Sequence, residues 1–206
     1  MSRPRERGFT LIELVLALTI VALMLTVLFS SLRVGLRAWQ RGEERAEALE
    51  YSRSMTQLVE LALGAAYPFQ GRMDKNEPLQ ILFKGEEDKV SFVTLSPPFP
   101  RSAPVAFTAV TLAMRTGPDP GLAIREKVLP NFDPFEQLPP DIVDPTVLGI
   151  AFRYLRDPDS DTWEKTWNGA EERALPRAIE VTLTVQLNGR AEERPPLTVP
   201  IRVTAP

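Results

Sequence analysis

The sequence GFTLIELVLALTIVALMLTVLFSSL, residues 8–32, decides the fold of this chain. Between Glu13 and Arg33 lie 19 uncharged residues. As a helix they would rise about 28 Å, close to the roughly 30 Å hydrocarbon core of a bilayer. An acidic residue in such a span costs on the order of 2.5–3.5 kcal/mol near the bilayer centre. The stretch therefore predicts a membrane-spanning helix in which the single carboxylate, that of Glu13, has a function.

The composition excludes several classes of function. The 206 residues contain no Cys and no His, so disulfides, the usual zinc sites and His-dependent catalytic triads cannot form. The formal net charge is −3, and loss of residues 1–8 would make it −5. An acidic chain argues against nucleic acid as the main partner. No cofactor is expected, since the sequence has no nucleotide-binding loop, nucleophile elbow or metal-ligand cluster.

A long interval without proline follows the N-terminus, from Pro4 to Pro68, and it predicts one helix from Phe9 to Leu63. Its first half, 9–32, is apolar on every side. Its second half has a small and apolar side, formed by Ala48, Leu49, Ser52, Met55, Val59, Ala62 and Leu63. The opposite side is polar and consists of Glu50, Arg53, Gln57 and Glu60. The helix is expected to be half membrane span and half cover for a soluble core.

After Pro68 the apolar residues recur at every second position, which is typical of strands. Strands are predicted at 79–84, 89–95, 105–116, 121–128, 148–154, 178–187 and 197–204. The segment 130–145 is predicted to be an irregular loop because it is rich in proline. One long N-terminal helix packed on antiparallel sheets, each with one apolar face, predicts an α+β architecture.

The residues that follow the basic N-terminus resemble the leader junction of type IV prepilins and type II secretion pseudopilins. The resemblance is carried by Gly8-Phe9-Thr10-Leu11-Ile12-Glu13. It implies cleavage after Gly8 by a prepilin peptidase, N-methylation of the new terminal Phe9, a cytoplasmic N-terminus and a periplasmic head. The positive-inside rule does not set this orientation, because arginines flank both ends of the span. A signal-anchor protein with an incidental Glu13 is the alternative.

This leader divides the chain into four parts with a pilin-like organisation. Residues 1–8 are the leader that is removed, and 9–32 are the transmembrane and assembly half of the helix. Residues 33–64 form its amphipathic half. Residues 65–206 form the periplasmic, β-rich head, anchored to the inner membrane by the helix.

The C-terminal region resembles the minor pseudopilin J family of type II secretion systems. The resemblance lies in a strand at 147–155, the pair Trp163 and Trp167, and the Leu-Pro-Arg-Ala sequence at 175–178 that enters the next strand. A short strand around Arg125 also matches the family. The helix segment 53–58 departs from it, since the family more usually has an acidic residue there.

Such a resemblance implies a structural role and not a catalytic one. It implies assembly with the minor pseudopilins I and K, and with other pseudopilins, into the pseudopilus tip that starts the fibre and helps to export folded proteins across the outer membrane. A minor pilin of a type IV pilus or DNA-uptake system is the alternative, which the 175–178 sequence and the acidic head disfavour. A membrane-anchored enzyme is a third class, disfavoured by the missing His and Cys.

Two groups of side chains are candidates for contacts in an assembly. In a stack of processed subunits, the Glu13 carboxylate can meet the N-terminal amine of a neighbour's Phe9, which offsets both buried charges. Beyond the span, arginines recur at every fourth position from 33 to 45. They suit either anionic lipid headgroups or acidic residues on a neighbouring helix. Trp39, Arg37 and Arg41 are the candidate partner contacts.

Two further groups in the head favour structural interpretations. Trp163 and Trp167 are expected to serve as core or as cover for a sheet edge, with an exposed contact as the alternative. Asp157, Asp159 and Asp161 imitate the start of a calcium loop, but Thr162 replaces its glycine and Asn168 its final glutamate. A solvated turn is the favoured interpretation, and whether these aspartates bind calcium stays open.

Overall fold

The structure is a computed structural model, and it describes residues 10–74, 76–99, 107–136, 139–187 and 189–203. Its first element is α1 (Leu11–Gly64), a helix of 54 residues. Gly35 and Gly42 lie within it and do not end it. The chain forms two compact units, of which the first ends at Ala48 and the second begins at Leu49. The predicted helix is therefore confirmed. Each of the two glycines lowers the local helix propensity but does not break the helix.

The second unit contains the amphipathic part of α1, and its two sides are as predicted. Met55, Val59, Ala62 and Leu63 are buried in the core. The polar residues Glu50, Arg53, Gln57 and Glu60 are exposed. The side chains of Ala48, Leu49 and Ser52, which were expected on the apolar side, lie outside the described residues. The hydroxyl of Thr94 donates to the carbonyl oxygen of Ala62 at 2.8 Å and fastens the helix to a strand.

Two larger antiparallel sheets form the head. The first contains β3 (Phe83–Gly85), β4 (Lys89–Thr94), β5 (Thr108–Arg115), β6 (Gly121–Val128), β7 (Ile142–Asp144) and β10 (Trp167–Asn168), in the order β10-β3-β4-β5-β6-β7. A separate small pair consists of β1 (Gln70–Gly71) and β2 (Gln80–Ile81). Every described pairing in the first sheet is antiparallel, as a meander of consecutive strands requires.

The second sheet is built around β11 (Ala178–Leu187) and β8 (Val147–Leu155). Its other strands are β9 (Trp163–Glu164), β12 (Arg190–Glu193) and β13 (Leu197–Pro200). The order is β12-β11-β8-β9, and β13 also pairs with β11. The odd-numbered residues of β11 from Ile179 to Leu187 are buried and its even-numbered ones from Glu180 to Gln186 are not. This alternation confirms the predicted two-residue period, and the α+β fold as a whole is confirmed.

Several predicted boundaries were wrong for reasons that the hydrogen bonds show. The strand at 79–84 is divided because its first part, β2, pairs with β1, whereas its second part, β3, pairs with β4 and β10. The segment 130–145 is not wholly irregular, since β7 pairs with β6 inside it. The last strand ends at Pro200 because its partner β11 begins at Ala178, and Thr204 of the predicted strand lies outside the described residues. Of the strand predicted at 105–116, residues 105 and 106 lie outside the described part.

Short elements without an apolar period were missed. They include β12, whose four residues are all exposed and which is formed only because the chain turns back on β11 through Gly189, at φ 74°. A further helix, α2 (Gly169–Glu172), has Asn168 as its N-cap, and the Asn168 side chain accepts from the Ala170 N–H at 3.1 Å.

Candidate assembly site

The first part of α1 is a candidate membrane span. The stretch Leu11–Gln40 is long and apolar enough to cross a bilayer. None of its most apolar segment of 18 residues is buried. Large apolar side chains such as Leu11 and Leu23 are 81% and 67% exposed. A helix that is apolar on every side and has no protein cover of its own requires lipid or neighbouring helices around it.

Glu13 lies in the first turn of this helix and is exposed. Its N–H donates to the carbonyl oxygen of Thr10 at 3.1 Å, which closes the turn. Negative charge is favourable at this end of a helix because the unpaired N–H groups carry partial positive charge. Within the part of the chain that the structure describes, no cation pairs with this carboxylate. Gly8 and Phe9 lie outside the described residues, so the cleavage between them and the pairing of Glu13 with the N-terminal amine of a neighbour's Phe9 stay predictions.

The polar side chains of the span are satisfied within the helix. The hydroxyls of Thr19, Thr26, Ser30 and Ser31 each donate to a main-chain carbonyl oxygen one turn earlier, at 2.7–3.0 Å. Such bonds leave the lipid-facing surface without a free hydroxyl donor among these four residues. Glu13 is therefore the one charged group that the described span keeps between Leu11 and Leu32.

Directly after the uncharged run that ends at Leu32, and within the C-terminal end of the stretch Leu11–Gln40, lies an exposed group that we call the arginine collar, formed by Arg33 and Arg37 with Trp39. Both arginines are exposed, and the Trp39 side chain is 74% exposed. Neither guanidinium pairs with any carboxylate whose position is described. The side chains of Arg41 and Arg45 lie outside the described residues. An unpaired aromatic and cationic surface of this kind is suited to a partner.

Beside the C-terminal turns of α1 the head has a groove of about 480 Å³. Its wall on the helix is formed by Gln57, Glu60, Leu61 and Gly64. The opposite wall includes Val199, Pro200 and Arg202. Pro200 has no N–H group, so the outer edge of β13 offers one donor fewer to an incoming strand.

An ion-pair cluster in the head was not predicted from the sequence. Arg156 donates through Nε to Glu164 at 2.7 Å and through Nη2 to Glu172 at 2.8 Å, with a second, shorter bond from Nη1 to Glu172. Its guanidinium lies 5.1 Å from the ring centroid of Trp167. The hydrogen bonds with Glu172 and then Glu164 raise the pKa of Arg156, and Arg156 lowers the pKa of Glu172.

This cluster has no local sequence signal, because its members are 8 and 16 positions apart. The β8–β9 hairpin brings Glu164 to Arg156, and α2 supplies Glu172. The cluster binds these elements together on the surface of the head. It is a structural clamp.

The other head residues singled out in the sequence are the two tryptophans and the aspartates near residue 157. Trp167 is buried, and its Nε1–H donates to the carbonyl oxygen of Ala174 at 2.9 Å. Trp163 is half-buried in the edge strand β9. At Asp157 the chain makes an exposed turn in which the Asp159 N–H donates to the Asp157 carboxylate at 3.0 Å. No group of three acidic side chains in the described part is placed to hold a metal ion.

Comparison with known proteins places this arrangement in a family. The model of the type II secretion system (T2SS) protein J family matches residues 30–194, which include most of the head. The chain belongs to the type II secretion system protein J family. The prokaryotic N-terminal methylation motif matches residues 3–29, the part that precedes and forms most of the span. Protein J family membership supports a pseudopilin role in type II secretion.

A relative in the same family has nearly the same extent. The type II secretion system protein J of Xanthomonas campestris pv. campestris is 28% identical over 187 residues, which cover 87% of this chain and 88% of the relative. The N-terminal motif and the apolar helix together support single-pass membrane anchoring and processing by a prepilin peptidase.

Proposed function

We propose that this chain is a minor pseudopilin of the pseudopilus tip. It joins other minor pseudopilins there, starts fibre assembly and helps to export folded proteins across the outer membrane. The observation that carries this proposal is the protein J family match over residues 30–194, in a chain whose head follows an uncovered apolar helix. Its role is assembly and not catalysis.

Processing creates the mature subunit in this proposal. The peptidase cuts after Gly8, the leader 1–8 is lost, and Phe9 becomes the methylated N-terminus. Residues 9–32 then span the inner membrane with the N-terminus on the cytoplasmic side. Residues 33–64 continue the helix into the periplasm, where 65–206 form the head. The support is the methylation motif at residues 3–29 and the intact apolar run that begins after the cut.

Glu13 acts in assembly. It lies four positions, or about 6 Å along a helix, from the mature N-terminus. A buried carboxylate in the stack of helices is costly alone, and a neighbour's N-terminal amine offsets that cost. Because the amine at Phe9 exists only after cleavage, processing and assembly are linked.

Pseudopilins I and K contact the turns that follow the span. Trp39 and Arg37 are exposed there, and Arg41 continues the same arginine series. Amphipathic aromatic and arginine side chains are the types that most often dominate binding energy at protein interfaces. The buried side of α1 between Met55 and Leu63 already faces its own head, which leaves the earlier turns for partners.

Co-purification of the full-length chain with I and K tests this contact. The double variant Trp39→Ala, Arg41→Glu is expected to lose most of the co-purified I and K, while its head unfolds at the wild-type temperature. The matched control is Phe132→Ala, Arg190→Glu, which alters an exposed aromatic residue and an exposed arginine of the head. Equal recovery of I and K with the wild type and the Trp39 variant would place the interface elsewhere.

A further inference from the structure

The arginine collar holds positive charge at the end of the span where such charge is usually depleted. Short loops that follow a span on the outer side seldom carry Lys or Arg. Here Arg33 follows the last apolar residue, Leu32, directly, and Arg37 follows one turn later. The two side chains lie on neighbouring parts of one helix face, about 6 Å apart along the axis. Two like charges at this spacing are weakly destabilising, and an anion between them relieves their repulsion.

No nearby group of the described helix supplies that anion. The hydroxyls of Ser30 and Ser31 already donate to their own helix. Glu43 is exposed and lies six positions after Arg37, which puts it about 240° around the helix, far from the collar face. Among the side chains that the structure describes, no carboxylate pairs with either arginine of the collar.

The direction of the side chains sets the depth at which the two guanidiniums act. In a helix the Cα–Cβ bonds tilt toward the N-terminus, so a side chain covers the turn that precedes it. The guanidinium of Arg33 accordingly lies near the level of the last apolar turn, and that of Arg37 about one turn further out. The headgroup layer of each leaflet is only about 5–8 Å thick. The Arg33 guanidinium thus lies at the inner boundary of this layer, and that of Arg37 lies within it.

We propose that Arg33 and Arg37 bind the headgroup phosphate of an anionic glycerophospholipid while the subunit waits in the membrane. A guanidinium forms paired hydrogen bonds with phosphate oxygens, and two of them on one face can bracket a single headgroup. Trp39, with its apolar ring and polar N–H, lies at the outer boundary of the same layer. This inference rests on the proposed function in that the helix spans a membrane with the head on its outer side.

Lipid retention by the full-length protein tests the proposal without any partner present. The chain is placed in nanodiscs of equimolar palmitoyl-oleoyl phosphatidylglycerol and phosphatidylcholine, and native mass spectrometry counts the lipids that stay bound. The wild type is expected to retain phosphatidylglycerol preferentially. Arg33→Gln, Arg37→Gln should lose this preference by about fivefold for each arginine removed. Arg33→Lys, Arg37→Lys should keep part of it.

The matched control is Arg53→Gln, Arg202→Gln, two exposed arginines of the second unit, which should behave as the wild type. Added inorganic phosphate should leave the preference unchanged. Displacement of the lipid by free phosphate, equal retention of both lipids by the wild type, or an unchanged preference in the Gln variant would each overturn the proposal. None of these results depends on I or K, so a failure of the partner contact would be seen separately.

Discussion

The hydroxyl of Tyr154 donates a hydrogen bond of 2.9 Å to the main-chain carbonyl oxygen of Glu86. Tyr154 belongs to β8 of one sheet, and Glu86 lies in the turn that follows β3 of the other. The ring reaches this turn because Gly85 has no side chain there, and a Cβ atom at Gly85 would overlap the ring. The Phe152 N–H donates to the carbonyl oxygen of Glu87 at 2.8 Å, so the sheets are joined at two points.

Substitution of Gly85 by Ala should loosen this junction. The added methyl group must displace a ring that is fully buried, and overpacking of this kind costs about 1–3 kcal/mol. For a chain of this size each kcal/mol lowers the melting temperature by about 2–4 °C. Thermal unfolding of the full chain in detergent, followed by circular dichroism, gives the shift.

The control for this change is Gly149→Ala in β8, where a Cβ atom would lie in ordinary contact with Thr184, at 3.4 Å. That variant should melt within a degree or two of the wild type, in keeping with the usual effect of changes that create no clash. If both glycine variants melt alike, the close approach of Tyr154 is not what requires Gly85.

The alkaline stability of the head should depend on Tyr154. Burial, and next the charge of Glu86, raise the pKa of Tyr154 above its ordinary value. A tyrosine whose pKa is raised in the folded state contributes stability below the unfolded pKa of about 10, and this contribution is lost as the pH rises above it. The melting temperature should fall above that pH. Tyr154→Phe should be less stable at neutral pH, yet show a shallower alkaline fall.

Phenolate absorbance offers an independent measurement of the same effect. The chain has three tyrosines, and Tyr154 should ionise only as the head unfolds. Titration of all the tyrosines before any loss of circular dichroism would contradict this prediction.

Acid should weaken the clamp at Arg156. Hydrogen bonds from Arg156 hold the pKa of Glu172 below its usual range. A carboxyl with a lowered pKa adds stability above the unfolded value of about 4.3, and this stability is lost as the pH falls through the folded value. Arg156→Gln should therefore melt below the wild type at neutral pH and approach it in acid. The neutral-pH effect should be smaller than that of Gly85→Ala because the cluster is on the surface.

Melting curves across the acid range test the clamp, with Lys84→Gln as the control. Lys84 forms one exposed ion pair, with Glu86 at 3.0 Å, and its loss should have little effect at any pH. A constant difference between Arg156→Gln and the wild type at every pH would show that Glu172 is not the group responsible.

Loss of the Glu13 carboxylate should stop assembly and leave the head folded. Glu13→Leu makes the span more apolar, so membrane insertion and leader processing should continue. Secretion by a strain that carries only this variant should fall to background, and co-purification with other pseudopilins should be lost. Glu43→Gln, which changes an exposed carboxylate beyond the span, is the control. Normal secretion by Glu13→Leu would remove the proposed pairing with Phe9.

Cleavage at Gly8 has a direct readout in the mass of the protein. Mass spectrometry of the membrane-extracted chain should find N-methylated Phe9 as the first residue. Gly8→Leu should retain the leader, because the residue before the cut is part of the junction that the peptidase reads. An intact Met1 in the wild type, or a cut near residue 32, would contradict the proposed processing.

Local pattern was enough to predict the main elements of the head and the helix. The two-residue period of β11 and the proline-free interval before Pro68 are both patterns among residues close in sequence. The same holds for the buried side of α1 from Met55 to Leu63, since a helix brings positions three and four apart together. These predictions needed no knowledge of the partner elements.

Strand ends and the Arg156 clamp could not be predicted in this way. A strand ends where its partner strand ends, and β13 accordingly ends opposite Ala178, the first residue of β11. A short edge strand such as β7 forms because β6 lies beside it and supplies its hydrogen-bond partners. Glu164 and Glu172 meet Arg156 only after β8, β9 and α2 have packed. No repeating pattern in the sequence identifies such residues, because the number of positions between them depends on the lengths of the loops that connect their elements.

The sequence by itself determined the span, the single carboxylate within it, the leader junction at Gly8 and the α+β class, because each rests on composition or on a period within one segment. Tertiary structure alone decided how two sheets join at Gly85 and Tyr154, and which of the described charges in the head are paired. The physical reason is distance. Hydrophobic periods act between neighbours in the chain, whereas close packing and ion pairs act over a few ångströms between segments that only folding brings together.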